Sequence, residues 1–193
     1  MENKDTKRYM ELQMDELKET YASESKVASS KPKPKSQDEK DRAIGKLYED
    51  AWEYEEDLAC FEAELELVKS VDLKDLGTTL LDEFPGEDRN YNQELQNVLE
   101  RAWTNYVELE QSKPLEQLEF IKTNTFSTIL EQFRTEFPSY ESNFENEVKE
   151  ILVARWEMLI AIKKEHIKEE IDDIKTMGLK PNYVKRMYKQ YCR

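Results

Sequence analysis

The chain predicts an all-α protein, an elongated helical bundle or coiled coil with a flexible N-terminal arm and a short basic C-terminal helix. Three observations lead there. Apolar residues make up only 38% of the 193 and charged residues 37%, against about 45–50% and about 25% in ordinary globular domains. A compact globule needs more buried surface than this to offset chain entropy, whereas a long helical pair needs only a covered stripe on each helix. Four Gly and six Pro leave few tight turns, which argues against β-rich architectures. Finally, apolar or small residues at Ile44, Leu47, Ala51, Tyr54, Leu58, Phe61, Leu65 and Val68 follow alternating steps of three and four, the a/d signature of a coiled-coil seam.

Residues 1–29 carry a short stripe, Met10, Met14, Leu17 and Tyr21, and read as a mobile arm, since helices of about three turns are marginal without a partner. The Ser/Lys/Pro run at 30–37 reads as an extended linker, because alternating prolines favour polyproline geometry. Residues 38–177 read as a bundle of four main helices. The first carries the seam, with acidic residues such as Glu49, Glu53, Glu56 and Glu64 between its apolar positions. Tyr54 and Phe61 are bulky for a parallel dimer, so an antiparallel or mixed bundle is expected.

Past the seam, Val71, Leu73, Leu76, Leu80 and Leu81 carry the apolar pattern on to Phe84-Pro85-Gly86, where Pro and Gly end it. A second helix starts near Asn90 and places Leu95, Val98, Leu99, Ala102, Trp103, Tyr106 and Leu109 on one face. Ser112-Lys113-Pro114 interrupts it, and a third runs through Leu115, Leu118, Phe126, Ile129, Leu130, Phe133 and Phe137. The fourth is expected to open with a capping box, Ser142-x-x-Glu145, and to sit centrally over 151–162, where its apolar face is broadest. Met177-Gly178-Leu179-Lys180-Pro181 is a stop signal, and residues 178–193 form a basic, Tyr-rich tail.

Charge is unevenly spread. Residues 1–40 are neutral; 41–112 hold six bases against twenty acids, a net −14; 113–177 carry −5; the last sixteen residues carry +5. Like charges flanking a seam oppose self-pairing in register. The seam residues Ile44, Leu47, Tyr54, Leu58, Phe61, Leu65 and Val68 are therefore expected to meet another helical subunit with basic flanks, or to be covered by later helices of the chain. The acidity argues against nucleic-acid contact there. The tail residues Lys180, Lys185, Arg186, Lys189 and Arg193, interleaved with tyrosines, form a second candidate surface. They suit an acidic protein groove, or phosphate contact and base stacking.

Tests for chemistry point away from catalysis. A carboxylate-bridged di-metal site needs paired Glu-x-x-His motifs, and the one histidine, His166, has Lys163 three residues before it. Asp88-x-Asn90-x-Asn92 begins like a calcium loop, but Gln93 and Leu99 stand where Gly and Glu are required. Cys60 and Cys192 lack metal or redox spacing. Trp52, Trp103 and Trp156 read as core residues beside Leu and Ile neighbours, and His166 as a surface flank. No cofactor, metal or catalytic residue is expected. No secretory signal or membrane span is expected either, and the location expected is cytoplasmic or nuclear. The functional expectation is a non-enzymatic scaffold or adaptor subunit of an intracellular, for instance cytoskeletal, assembly, pairing through its helices. The alternative is a factor bound to nucleic acid or another acidic surface through its tail.

Overall fold

The computed structural model describes residues 37–85 and 89–176. The expected arm, nearly all of the linker, and the tail residues Lys180, Lys185, Arg186, Lys189 and Arg193 lie outside that range. Among the described residues every regular element is helical, so the protein is all-α. The elements are α1 (Gln37–Ser70), α2 (Leu73–Glu83), α3 (Tyr91–Thr104), a π-helical turn (Asn105–Leu109), α4 (Leu115–Thr123), α5 (Phe126–Glu136) and α6 (Phe144–Thr176). No helix of the described residues is long and apolar enough to cross a membrane.

The chain divides into two compact units. Within the described residues, the first is 63–158, which holds the end of α1, the start of α6 and every element between them. The second consists of residues 37–62 of α1 and 159–176 of α6.

Local chemistry sets the boundaries in the first unit. The seam helix does not run on past Val71 as its apolar pattern suggests. The Val71 amide closes its last turn on the Leu67 carbonyl at 2.9 Å. Asp72, in extended backbone, then accepts from the Lys74 amide and opens α2, the N-cap role for which a short carboxylate is suited. Leu73, Leu76 and Leu80 turn inward, while Leu81 is left 50% exposed. Gly77 lets α2 approach α3 closely, since a Cβ there would lie 2.1 Å from Asn92 Oδ1.

Asn90 caps α3 by accepting from the Gln93 amide at 3.2 Å, and Tyr91, Leu95, Leu99, Ala102 and Trp103 fill its inner face. The expected continuation of that face to Leu109 fails. The helix widens into the π turn, with the Glu110 amide donating five residues back to Asn105. One extra residue per turn rotates the following side chains off the stripe. Tyr106 stays inside at 1% exposure while Leu109 turns out at 64%.

The expected third helix is two helices. Asn124 Nδ2 donates to the Phe120 carbonyl and ends α4, and Thr125 accepts from the Thr128 amide to start α5. Two small hydroxyl and amide side chains suffice to break the run because each competes with helical backbone bonding. The start of α6 also differs from expectation. Asn143, not Ser142, caps it by accepting from the Asn146 amide. The Ser142 carbonyl instead accepts from Arg134.

Around these breaks the first unit closes on an aromatic core. Phe133 of α5 stacks on Phe144 of α6 with ring centroids 3.9 Å apart, and Trp103 meets each of them edge-on at 5.8 Å. Phe120, Phe137 and Tyr140 surround Phe133. Such pairs contribute about 0.5–1.5 kcal/mol each beyond their buried area. Trp103 also donates its indole N–H to Gln117 Oε1, which keeps both polar atoms satisfied in the interior.

On the other side of this unit sits a carboxylate with no exposed surface. Glu64, near the end of α1, is 0% exposed. It accepts from Arg89 at 2.6 Å, from the Tyr91 hydroxyl at 2.8 Å and from the Trp156 indole N–H at 2.7 Å. Arg89 is in turn held by two hydrogen bonds to Glu94 and lies over the Tyr91 ring. Burial disfavours its charge, but the Glu94 hydrogen bonds and the Glu64 and Glu94 charges outweigh that and hold its pKa above the ordinary range. The network joins α1, the entry to α3 and α6. Lys149 of α6 donates to the carbonyl of Val71, just past α1, while Trp156 reaches back to Glu64, so the two helices run antiparallel within this unit. Removing Glu64 takes one carboxylate from Arg89, which keeps Glu94, together with the acceptor of the Tyr91 hydroxyl and the Trp156 indole N–H, and breaking a buried pair of this kind costs about 3–5 kcal/mol. Glu64→Ala should therefore lower the stability to urea unfolding by about that amount. A loss under about 1 kcal/mol, the scale of a surface ion pair, would refute the network's role.

Candidate interaction seam and ammonium cage

Of the seven seam residues, Leu65 and Val68 belong to the first unit, where they are 8% and 0% exposed. They pack into the core of this chain and offer nothing to a partner. Leu47, Tyr54, Leu58 and Phe61 belong to the second unit and are half-buried. The side chain of Ile44 lies outside the described residues.

Within the second unit α6 faces the seam in antiparallel sense. Tyr54 packs against His166, with centroids 5.2 Å apart. Three residues further along α1, Asp57 accepts from Lys163, three residues earlier on α6, at 2.6 Å. Lys163 also lies 4.9 Å from the Tyr54 ring centre. Glu62 pairs with Lys164 at 2.9 Å across side chains that are each more than half exposed, so that pair adds at most about 1 kcal/mol. His166, expected as a surface flank, is part of this packing. Two acids of α1, Asp57 and Glu62, thus find basic partners on α6. Burial raises the Glu55 carboxyl above its usual value.

Apolar closure in this unit is incomplete. Leu159, Ile162, Ile167 and Ile171 of α6 are half-buried like the seam residues opposite, and only Ile160 among the described isoleucines and leucines here is buried, at 8% exposure. Two helices cover one side of each other's stripe and leave its margins in water.

A second polar cluster, which the sequence reading passed over, lies in the first unit. Lys113, on the connection before α4, places its ammonium 4.2 Å from the Trp103 ring centre, 4.5 Å from Tyr106 and 4.9 Å from Tyr140. It donates to the Tyr140 hydroxyl at 2.6 Å and to Glu147, while Tyr140 donates to the other oxygen of Glu147. Glu147 is 6% exposed. Two ring faces, the Tyr140 hydroxyl and a carboxylate around one cation make a cage in which cation–π attraction and ion pairing act together. The sequence signal was faint. Lys113 stood inside a Ser-Lys-Pro break, and Tyr140 and Glu147 are separated from it by 27 and 34 positions.

Burial, the hydrogen bond to Glu147 and the Glu147 charge raise the Tyr140 hydroxyl well above the ordinary tyrosine range. A folded-state value above the unfolded one means stability that is present below about pH 10 and is lost as pH rises beyond it. In a spectrophotometric titration of the folded protein, Tyr140→Phe should leave the tyrosinate absorbance step near pH 10 unchanged. A step smaller by one tyrosine would show that Tyr140 ionises normally.

Comparison of the chain with protein families, curated proteins and solved structures finds no match.

Proposed function

We propose that the protein is a non-enzymatic adaptor that recruits a foreign helix onto the α1–α6 pair of its second unit. The observation that carries this reading is the contrast in burial along one seam. Leu65 and Val68 are closed within the chain, whereas Leu47, Tyr54, Leu58 and Phe61, with Leu159, Ile162, Ile167 and Ile171 opposite, remain half-buried. A third amphipathic helix laid along this pair removes further apolar area from water, at about 25 cal/mol per Å², and helix-in-groove docking uses the same i, i+3, i+4, i+7 anchors.

Charge selects the occupant. Over residues 41–62 the helix carries eight acids and two bases, so a second copy is repelled and a helix with basic flanks is favoured. The partner in this reading is a helical subunit of an intracellular assembly, in the manner of a scaffold or complex subunit of the cytoskeleton, and the activity is pairing, not turnover.

The test is site-specific photo-crosslinking in cells, with a photoreactive phenylalanine at Leu58 or Phe61 and, as control, at the exposed Leu81 of the first unit. Adducts to one protein at 58 and 61 but not at 81, mapping to a Lys/Arg-flanked amphipathic segment, are expected. Absence of adducts at the seam, together with a concentration-independent monomer in sedimentation of the same protein, would end the proposal.

A further inference from the structure

We propose that the Trp103–Tyr106–Tyr140–Glu147 cluster is a receptor for a primary alkylammonium group, occupied in cis by Lys113, and that its trans ligand is a lysine side chain presented by a partner protein. This is independent of helix recruitment by the second unit and rests on different residues.

The first argument is that the walls stand without the occupant. Trp103 is fixed by Phe133 and Phe144 at 5.8 Å each and by its hydrogen bond to Gln117. Tyr140 leans on Phe133 at 5.2 Å and Phe144 at 6.0 Å. Tyr106 packs edge-on to Trp103 at 5.7 Å, and Glu147 is fixed in the first turn of a long helix. Taking the ammonium away leaves a preorganised cage, the condition for affinity without reorganisation.

The second argument is that the occupant comes from a connection between helices, tied at Ser112 by its amide and hydroxyl to the Tyr106 carbonyl. Lys113 lies in a connection whose residues Gln111, Ser112 and Pro114 are exposed. Gln111 adopts φ 50°, the one non-glycine residue of the described chain with positive φ. Its left-handed backbone is one that side chains of L-residues disfavour. Leaving the cage therefore moves a connection and breaks no helix.

The ligand class follows from the acceptors. The Tyr140 hydroxyl and Glu147 both take hydrogen bonds from the Lys113 ammonium, so the site favours a cation that keeps N–H donors over a quaternary one. The source follows from the loop's flanks. Leu109 and Leu115, at 64% and 57% exposure, stand on either side of the connection, where a peptide covers them and a free amine does not. A tethered occupant has an effective concentration of millimolar order, so only a ligand with such additional contacts displaces Lys113 at physiological concentration. Lys113 then acts as a plug that keeps the site closed to stray amines.

The experiment is calorimetric titration of the full-length Lys113→Ala protein with n-butylammonium, tetramethylammonium and acetyl-Leu-Lys-Leu-amide at constant ionic strength. Saturable binding of n-butylammonium is expected, at least tenfold weaker for tetramethylammonium and at least tenfold tighter for the peptide, and lost in Lys113→Ala/Glu147→Gln. If Lys113→Ala does not fold alone, n-butylammonium should restore its helical signal where sodium chloride at equal ionic strength does not. In the wild-type protein, about 100 mM n-butylammonium, far above the tether's effective concentration, should move the ring-shifted Lys113 side-chain proton resonances toward their free values. No saturable binding, no rescue, a peptide that binds no better than n-butylammonium, or Lys113 resonances that stay in place would each overturn the assignment.

Discussion

A carboxylate placed out of reach of water organises the first unit. Glu64 has no exposed surface, and an isolated charge in such a place is costly enough that it must be paired and hydrogen-bonded. Three donors meet that demand, and they come from parts of the chain 25, 27 and 92 positions away. Each donor is itself committed. Arg89 is oriented by Glu94, Tyr91 opens α3 beside its Asn90 cap, and Trp156 lies in the buried stretch of α6. Once α1 carries Glu64 inward, the entry to α3 and the register of α6 against α1 have one arrangement that satisfies all the polar atoms. A slip of α6 by a single turn, about 5.4 Å, would take the Trp156 indole away from the carboxylate and leave an acceptor short. Apolar packing tolerates such slips far better, so it is the polar node that makes this register unique.

The aromatic core and the Lys113 cage are two sides of the same construction. Phe133 and Phe144 stack, Trp103 closes on their edges, and the outward faces of Trp103 and Tyr106, with the Tyr140 hydroxyl, meet a cation. Rings that fill a core by edge-to-face contact present their electron-rich faces elsewhere, and in this unit those faces converge on one point beside Glu147. A core of aliphatic residues would pack as well and would bind no ammonium. The choice of aromatics at 103, 106 and 140 thus links packing to a capacity for recognition.

How much of this was legible in the sequence depends on the range of the interaction. Helical class, the start of α3 near Asn90, and the inward faces of α3 and α5 are legible in local pattern, and the structure agrees with them. The breaks at Asp72 and Thr125 were also local and were missed because an apolar pattern continued across them. A single capping side chain outweighs periodicity when the residue beyond it can start a new helix. The π turn left no mark in the composition at all. Leu109 obeys the α3 period and still faces solvent, because the helix widened under it. Glu64 was read as one more acid on an acidic flank. Its position, three residues after Phe61 and four before Val68, places it on the inner face, but no local rule says that donors at 89, 91 and 156 will be there to receive it. Lys113 and its cage, assembled from residues up to 34 positions apart, depended on tertiary structure in the same way.

The seam shows where periodicity stops being informative. Its residues repeat without interruption, yet Val68 is sealed and Phe61, seven residues earlier, is half-open. The repeat determines which side of α1 is apolar; it does not determine how many neighbours cover that side. In the first unit the entry to α3 and the buried stretch of α6 meet the end of the helix, and Leu65 and Val68 are closed there. In the second unit α6 faces it among the described residues, and its lysines pair off acids of α1 at Asp57 and Glu62 without widening the apolar cover. Ion pairs at an exposed margin set the direction and register of a helix pair but contribute little to its stability. The ion pairs between the two described helices of the second unit are thus a modest part of its cohesion, and a further helix that adds apolar cover along the half-buried stripe has room to contribute there.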